Sequence, residues 1–300
     1  MARVKSMKRK QKTQNTIIYI VLILLSIIWV IPILWIVFVS FNAADSRVAI
    51  SALPAKGSSF AEVMNFYFGN LTLRHYVNLF TSSTEPYLRW FINTFVVALI
   101  TMIVNTFFIM AVAYTMSRLK FKGRKTLMSI NLILGMFPGF MSMIAVYNIL
   151  KLVNLTQSLV ALTLCYTMTS GMGFYVAKGF FDTVSKSLDE AARIDGATNA
   201  QIFYKIILPL SKPIIVYTLV QAFMGPWMDY IFCKIILRDA SNQYTVALGM
   251  YQWITVQEKI NLKFVDFFAG SVIVSIPIMS VFLATQKYYI SGVTGGAVKG

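Results

Sequence analysis

The 300 residues carry 27 Lys and Arg against 11 Asp and Glu, a formal net charge of +16, with 57% hydrophobic and only 13% charged residues. So much apolar surface cannot be hidden inside one globule of this size, which excludes a soluble enzyme or binding module and makes lipid the solvent. A helix needs about 20 apolar residues to cross a hydrocarbon core, and six runs qualify: 17–41, 90–116, 127–150, 158–180, 213–237 and 265–287. They lack the polar alternation of barrel strands, so the expected fold is an all-α integral membrane bundle.

In chain order, residues 1–16 form a basic N-terminal segment containing Arg3, Lys5, Lys8, Arg9, Lys10 and Lys12. The run that follows is longer than the apolar part of a signal peptide. It therefore reads as an uncleaved anchor, although Ala43 and Ala44 are residues of the cleavage-site type. A loop at 42–89 leads to the second run, and Arg118, Lys120, Lys122, Arg124 and Lys125 separate the second from the third. Lys178, Lys186, Arg193, Lys205 and Lys212 flank or lie in the segment 181–212 after the fourth run, and Lys287 and Lys299 mark the tail, 288–300. Basic residues near span ends stay cytoplasmic. Both termini and the 181–212 segment are thus expected inside, with 42–89 and 238–264 outside. This bias and anionic lipid at the inner surface account for the positive charge without nucleic acid.

Within the runs, Cys165 and Cys233 read as small apolar contact residues, and His75 stands alone in an outer loop, so no disulfide framework or metal cluster is expected. Gly135-Met136-Phe137-Pro138-Gly139 reads as tight helix packing or a kinked gate, with packing preferred. Asp229 is an acid inside the fifth run, either a functional group or one paired with Lys234, Arg238 or a neighbouring subunit. A path for a polar solute needs hydroxyl-binding groups beside aromatic faces. Asn131, Tyr147, Asn148, Tyr166, Thr167, Trp227, Asp229 and Tyr230 are the candidates, and most of them should be structural.

The segment after the fourth run is polar and carries its own helix signals. Ser187-Leu188-Asp189-Glu190 reads as a capping box that starts a short helix at Leu188, and Gly196 as its left-handed end. Thr198-Asn199-Ala200-Gln201 is a second box, opening a helix that stops before Pro209. Ala191 and Ala192 leave one surface free of bulk beside the Glu190 carboxylate, which suits insertion into a partner's cleft, where an arginine could pair with the acid. A helix-turn-helix reader of DNA is excluded because both ends are tied within a few residues to membrane runs.

Spelled out, Glu190-Ala191-Ala192, Gly196, Ile206, Leu208 and Pro209 give E-A-A-x3-G-x9-I-x-L-P, a pattern that resembles the signature loop of permease subunits of ATP-binding-cassette importers. Leu237-Arg238-Asp239, the stretch Tyr244 to Met250 and the ending Gly292 to Gly300 are similar to the closing third of the MalG-type subunits of maltose and maltodextrin importers. The likeness is strongest from 180 to 300. It implies that Glu190, Ala191, Ala192, Asp195 and Gly196 lie in a coupling helix seated on a cytoplasmic ATPase dimer. Ile206, Leu208 and Pro209 would fix the next segment to the membrane. Gly296, Lys299 and Gly300 would be a second ATPase contact, and the outer loop near 249–266 would probe an external solute-binding protein, although Thr255 to Lys259 depart from the pattern. The implied partners are a homologous second permease, the ATPase, the binding protein, an oligosaccharide and the bilayer of a bacterial inner membrane. ATP and magnesium belong to the ATPase, since no G-x-x-x-x-G-K-[ST] run occurs in this chain.

Other readings fare worse. An importer permease for another solute, a polyol, glycerol phosphate or acidic oligosaccharide, stays open because a coupling loop does not read substrate. A membrane enzyme would need a constellation that eleven scattered acids and a lone His do not form. A stand-alone carrier would be expected to show an internal repeat.

Overall fold

The computed structural model describes residues 2–43, 57, 59–69, 71–168 and 172–297. Sixteen α-helices follow one another: α1 (Ala2–Ser40), α2 (Phe60–Phe68), α3 (Arg74–Thr81), α4 (Tyr87–Arg118), α5 (Arg124–Gly135), α6 (Gly139–Leu152), α7 (Leu159–Met168), α8 (Gly173–Thr183), α9 (Lys186–Ile194), α10 (Asn199–Ile202), α11 (Leu208–Leu210), α12 (Lys212–Met228), α13 (Ile231–Leu237), α14 (Val246–Thr255), α15 (Gln257–Ile260) and α16 (Phe264–Ala297). Among the described residues the only non-helical pairing is an isolated bridge between Asn42 and Leu71, so the all-helical membrane architecture holds.

Gln11–Ser40, Tyr87–Arg118, Leu159–Thr183 and Phe264–Tyr288 are long and apolar enough to cross a bilayer, and two bent pairs raise the number to six. One bend, of 103°, separates α5 from α6. The expected unbroken run 127–150 is therefore two helices. Met136 caps the first, and Pro138, whose ring disfavours helix in the residue before it, precedes the second. An added Cβ at Gly139 would meet nothing within 4 Å, and one at Gly135 only Met172 Sδ at 3.7 Å, so these glycines mark a break and not tight packing. The fifth run is also broken: α12 ends at Met228, Asp229 is extended, and α13 begins at Ile231. Ala44 lies outside the described residues.

The chain divides into two compact units, residues 1–81 with 253–273 and residues 82–252 with 274–300. In the first, α1 presents apolar side chains such as Leu22, Ile28 and Trp29 to the surroundings, as a lipid-facing helix does. Its end is pinned by a hydrogen bond between the Ser40 and Tyr76 hydroxyls at 2.7 Å. The lone histidine is buried there: His75 Nδ1 lies 2.7 Å from Asp266 Oδ1, and Lys263 donates to Asp266 Oδ2 at 2.9 Å. Both polar ends of that carboxylate are thus satisfied.

In the second unit α4 is the long unbroken element, and α7, α8 and α12 pack against it. Phe91 and Phe95 of α4 meet Phe223 and Trp227 of α12 edge-on, with centroid separations of 5.2 to 6.4 Å. Towards its start, Trp90 donates to the Ser241 carbonyl at 2.9 Å, Asn93 donates to the carbonyls of Asn242 and Tyr244, and Thr94 accepts from Val246 N–H at 2.8 Å. Halfway along, Asn105 donates to the Tyr166 and Thr167 carbonyls at 3.1 and 3.2 Å, tying α7 to α4.

Gly249 faces Trp90, and a Cβ added there would overlap the indole. Gly249→Ala should lower stability by about 1–3 kcal/mol through overpacking, whereas Gly225→Ala, with open space around the added atom, should be tolerated. Thermal unfolding of the detergent-purified chain checks this, and equal midpoints for the two variants would contradict it.

Candidate functional site

The polar segment after α8 is built on its caps. Ser185, not Ser187, is the N-cap of α9: its hydroxyl accepts from Ser187 N–H at 3.3 Å and lies 2.7 Å from the Ser187 hydroxyl. The expected box closed by Glu190 is therefore absent, because the helix starts two residues earlier and Leu188 takes the third helical position. Glu190 is left exposed with its carboxylate unused by the cap. Gly196 ends α9 as expected, at φ +81°. Gly196 N–H donates to the Arg193 carbonyl at 3.0 Å and Ala197 N–H to the Ala192 carbonyl at 2.9 Å, the paired bonds of a Schellman end. The second box is present, with Thr198 and Gln201 exchanging side-chain to backbone bonds at 2.8 and 3.3 Å.

After α10, residues Phe203–Ile207 form a π-turn that runs into α11, where Pro209 has no N–H to give the helix ladder. Ile202 and Ile207 are fully buried in a cluster with Ile109, Tyr114, Phe174 and Phe181, and Ile206 and Leu208 pack on its edge. Pro209 is exposed. Tyr114 adds a hydrogen bond to the Asn199 carbonyl at 3.0 Å and a ring contact with Phe203 at 4.9 Å. The segment is thus set on the end of the bundle by apolar burial, and the chain turns by 86° between 199–210 and α12.

Helix α9 consequently has two faces. Asp189 and Ala192 point inward, so Ala192 belongs to the packed side and not, as its sequence neighbourhood suggests, to the free surface beside Glu190. Leu188, Ala191 and Ile194 line up at three-residue spacing on the outside, flanked by the exposed acids Glu190 and Asp195. Ile194 is 87% exposed. A bare apolar stripe rimmed by charge is the make-up of a docking surface.

Behind the inner face sits Arg118, the last residue of α4. Its Nη2 donates to the carbonyls of Phe181 and Val184, both at 2.8 Å, and its Nε lies 3.4 Å from Asp189 Oδ2. Sequence reasoning counted Arg118 as one more inner-side charge. Its position at the very end of an apolar run was the one signal the sequence offered. Next to it Asp182 accepts from the Ser117 hydroxyl and from Lys178, each at 2.6 Å.

The intramembrane candidates separate. A cavity of about 520 Å³ is lined by Ser142, Met143, Cys165, Tyr166, Asp229 and Phe232 among others. Asp229 Oδ2 accepts from the Tyr166 hydroxyl at 2.8 Å and Oδ1 from Phe232 N–H at 3.0 Å. Its partners within the chain are therefore a tyrosine and the start of α13, and neither Lys234 nor Arg238, the two in-chain cations weighed as partners. Lys234 is exposed, and Arg238 lies 5.3 Å from the centroid of the Tyr147 ring. Trp227 is buried in the aromatic cluster with α4, and Tyr230 stacks on Tyr251 at 4.0 Å. Asn131, Asn148, Trp227 and Tyr230 are not among the cavity's lining residues. Gly296 falls within α16, while Lys299 and Gly300 lie outside the described residues. No cluster of His, Cys, Asp and Glu suited to a metal occurs among the described residues.

Residues 108–294 match the family described as "Binding-protein-dependent transport system inner membrane component". The chain is 33% identical over 263 residues to the galactooligosaccharides transport system permease protein GanQ of Bacillus subtilis, covering 87% of each. It is 37% identical over 248 residues to the maltodextrin transport system permease protein MdxG of the same organism, covering 81% of this chain and 86% of the relative. Among solved structures, a bacterial ABC transporter involved in the import of the acidic polysaccharide alginate superposes with a TM-score of 0.72 at 20% identity, over 94% of this chain and 98% of the other.

The left-handed turn at Gly196 is a further point of test. A side chain there costs about 1–2 kcal/mol, and asparagine tolerates the conformation better than a β-branched residue. Limited proteolysis across residues 193–199 should therefore cut Gly196→Val faster than Gly196→Asn. Equal rates would contradict the turn.

Proposed function

The chain belongs to the family of binding-protein-dependent transport system inner membrane components, and from that membership we propose that it is the permease subunit of an ATP-driven importer that moves an oligosaccharide into the cytoplasm. The names of GanQ and MdxG, both sugar-system permeases, support the solute class. The observation that carries the coupling half of the reading is the outward stripe of α9, Leu188, Ala191 and Ile194 with Glu190 beside them, held on a rigid apolar base.

In this reading a cytoplasmic ATPase dimer receives that stripe in a cleft, with a basic side chain against Glu190, and supplies the ATP and magnesium chemistry. Ala192 and Asp189 hold the helix to the bundle, and Gly196 sets its angle to α10. A homologous second permease completes the path, an external binding protein delivers the sugar, and both termini are cytoplasmic in a bacterial inner membrane. Leu132 and Ile133 of α5, Phe140 of α6 and Phe137 in the break between them are exposed, which suits contact with lipid or the second permease.

The cavity beside Tyr166 and Asp229 is the candidate contact with solute. Its volume is of the order of a hexose unit or two, and the one charged residue among the described residues lining it is Asp229. That composition favours a neutral sugar over the acidic alternative, since a uronate would face like charge in a site of low dielectric.

Glu190→Lys should leave the chain inserted and folded yet reduce co-purification of the ATPase and abolish transport, because it places a cation where one already waits. Normal ATPase recovery together with normal uptake in vesicles would refute the docking assignment.

A further inference from the structure

Arg118 and Asp189 meet on the inner side of α9, away from its outward stripe, and the docking reading gives Arg118 no part and Asp189 only that of holding the helix to the bundle. Arg118 is fixed to the end of α8, since one of its nitrogens holds two terminal carbonyls at 2.8 Å each. The same guanidinium faces Asp189 across a single N–O separation of 3.4 Å, with the two side chains 1% and 5% exposed. An engaged arginine–carboxylate fork makes two parallel bonds of about 2.7–2.9 Å. Here Arg118 Nε, Arg118 Nη1 and Asp189 Oδ1 are buried without a hydrogen-bond partner.

Such orphaned charge is costly, and an arrangement that pairs it is favoured as soon as the backbone permits. The neighbouring acid, Asp182, already accepts from Ser117 and Lys178. With Arg118 anchored, the remaining freedom is movement of α9. A shift of about 0.6 Å toward the bundle brings the contact to bonding distance and lets the second oxygen pair.

We propose that Arg118 and Asp189 form a joint that is half engaged in this structure and closes to a two-bond fork when the nucleotide-loaded ATPase presses α9 toward the bundle, carrying the displacement into α4 and α8. The inference rests on α9 being the docking element. Both residues are positioning residues that touch neither solute nor nucleotide. Because Arg118 ends one long helix and grips the end of another, a small push at α9 reaches two membrane segments at once.

The test uses the full assembly of this chain with its ATPase, second permease and binding protein in lipid vesicles. Arg118→Lys keeps the charge but loses the fork, and Asp189→Asn keeps the shape but loses the charge. Each should retain ATPase co-purification and basal hydrolysis while solute-stimulated hydrolysis and uptake fall roughly tenfold, in the range of ordinary coupling energies. Stimulation at the unsubstituted level would overturn the joint, as would parallel loss of ATPase recovery, which would make these residues part of docking. Failure of Glu190→Lys to weaken recovery would count against the docking reading separately. Should either variant fail to insert, the unsubstituted assembly decides: solved with and without bound nucleotide, it should show one long contact becoming two short ones. Identical Arg118–Asp189 geometry in both states would overturn the proposal.

Discussion

Water is absent from the hydrocarbon core, so every place where a span breaks must have its freed backbone groups bound by something else. In this chain one helix does most of that work. Along α4, Trp90, Asn93 and Thr94 take up the backbone from Ser241 to Val246, Asn105 binds two carbonyls of α7, and Arg118 takes the end of α8. Asp229 does the same for the start of α13. The broken helices around α4 are therefore defined by where their unpaired carbonyls and N–H groups find side chains, and α4 acts as a polar spine inside an apolar bundle.

The same rule explains how the end of the bundle can carry a polar two-helix segment. A polar two-helix segment needs an apolar seat if it is to transmit force, and Ile202, Ile207 and their neighbours provide one that excludes water. Burial fixes one face of α9, and the opposite face keeps an exposed isoleucine and two exposed acids. Surface features that the fold does not need are where a partner is expected.

Much of this was legible in the sequence. The lengths of the apolar runs gave the helical membrane class, and the glycine and the Thr198–Gln201 pair located one hinge and one cap because such signals are local. What eluded it was relational. Ser185 and Ser187 are both competent N-caps, and the helix uses the first because Ser185 is non-helical and helical backbone already begins at Lys186. Ala191 and Ala192 are alike as residues and differ only in which side meets the bundle. Asp229 reads as an isolated intramembrane charge until the break in the fifth run places Phe232 N–H and the Tyr166 hydroxyl beside it. Arg118 hides among five basic residues in a short stretch, and its distinction is burial, which composition does not carry.

Cysteines placed one at a time along α9, in a chain otherwise free of Cys165 and Cys233, test the account most directly through disulfide or bifunctional cross-linking to the ATPase in native membranes. Position 194 should capture the ATPase efficiently and position 192 should not, since the first is 87% exposed and the second is packed inward. Capture from position 192 with none from 194 would mean that the helix docks by its other face, and the account would fail.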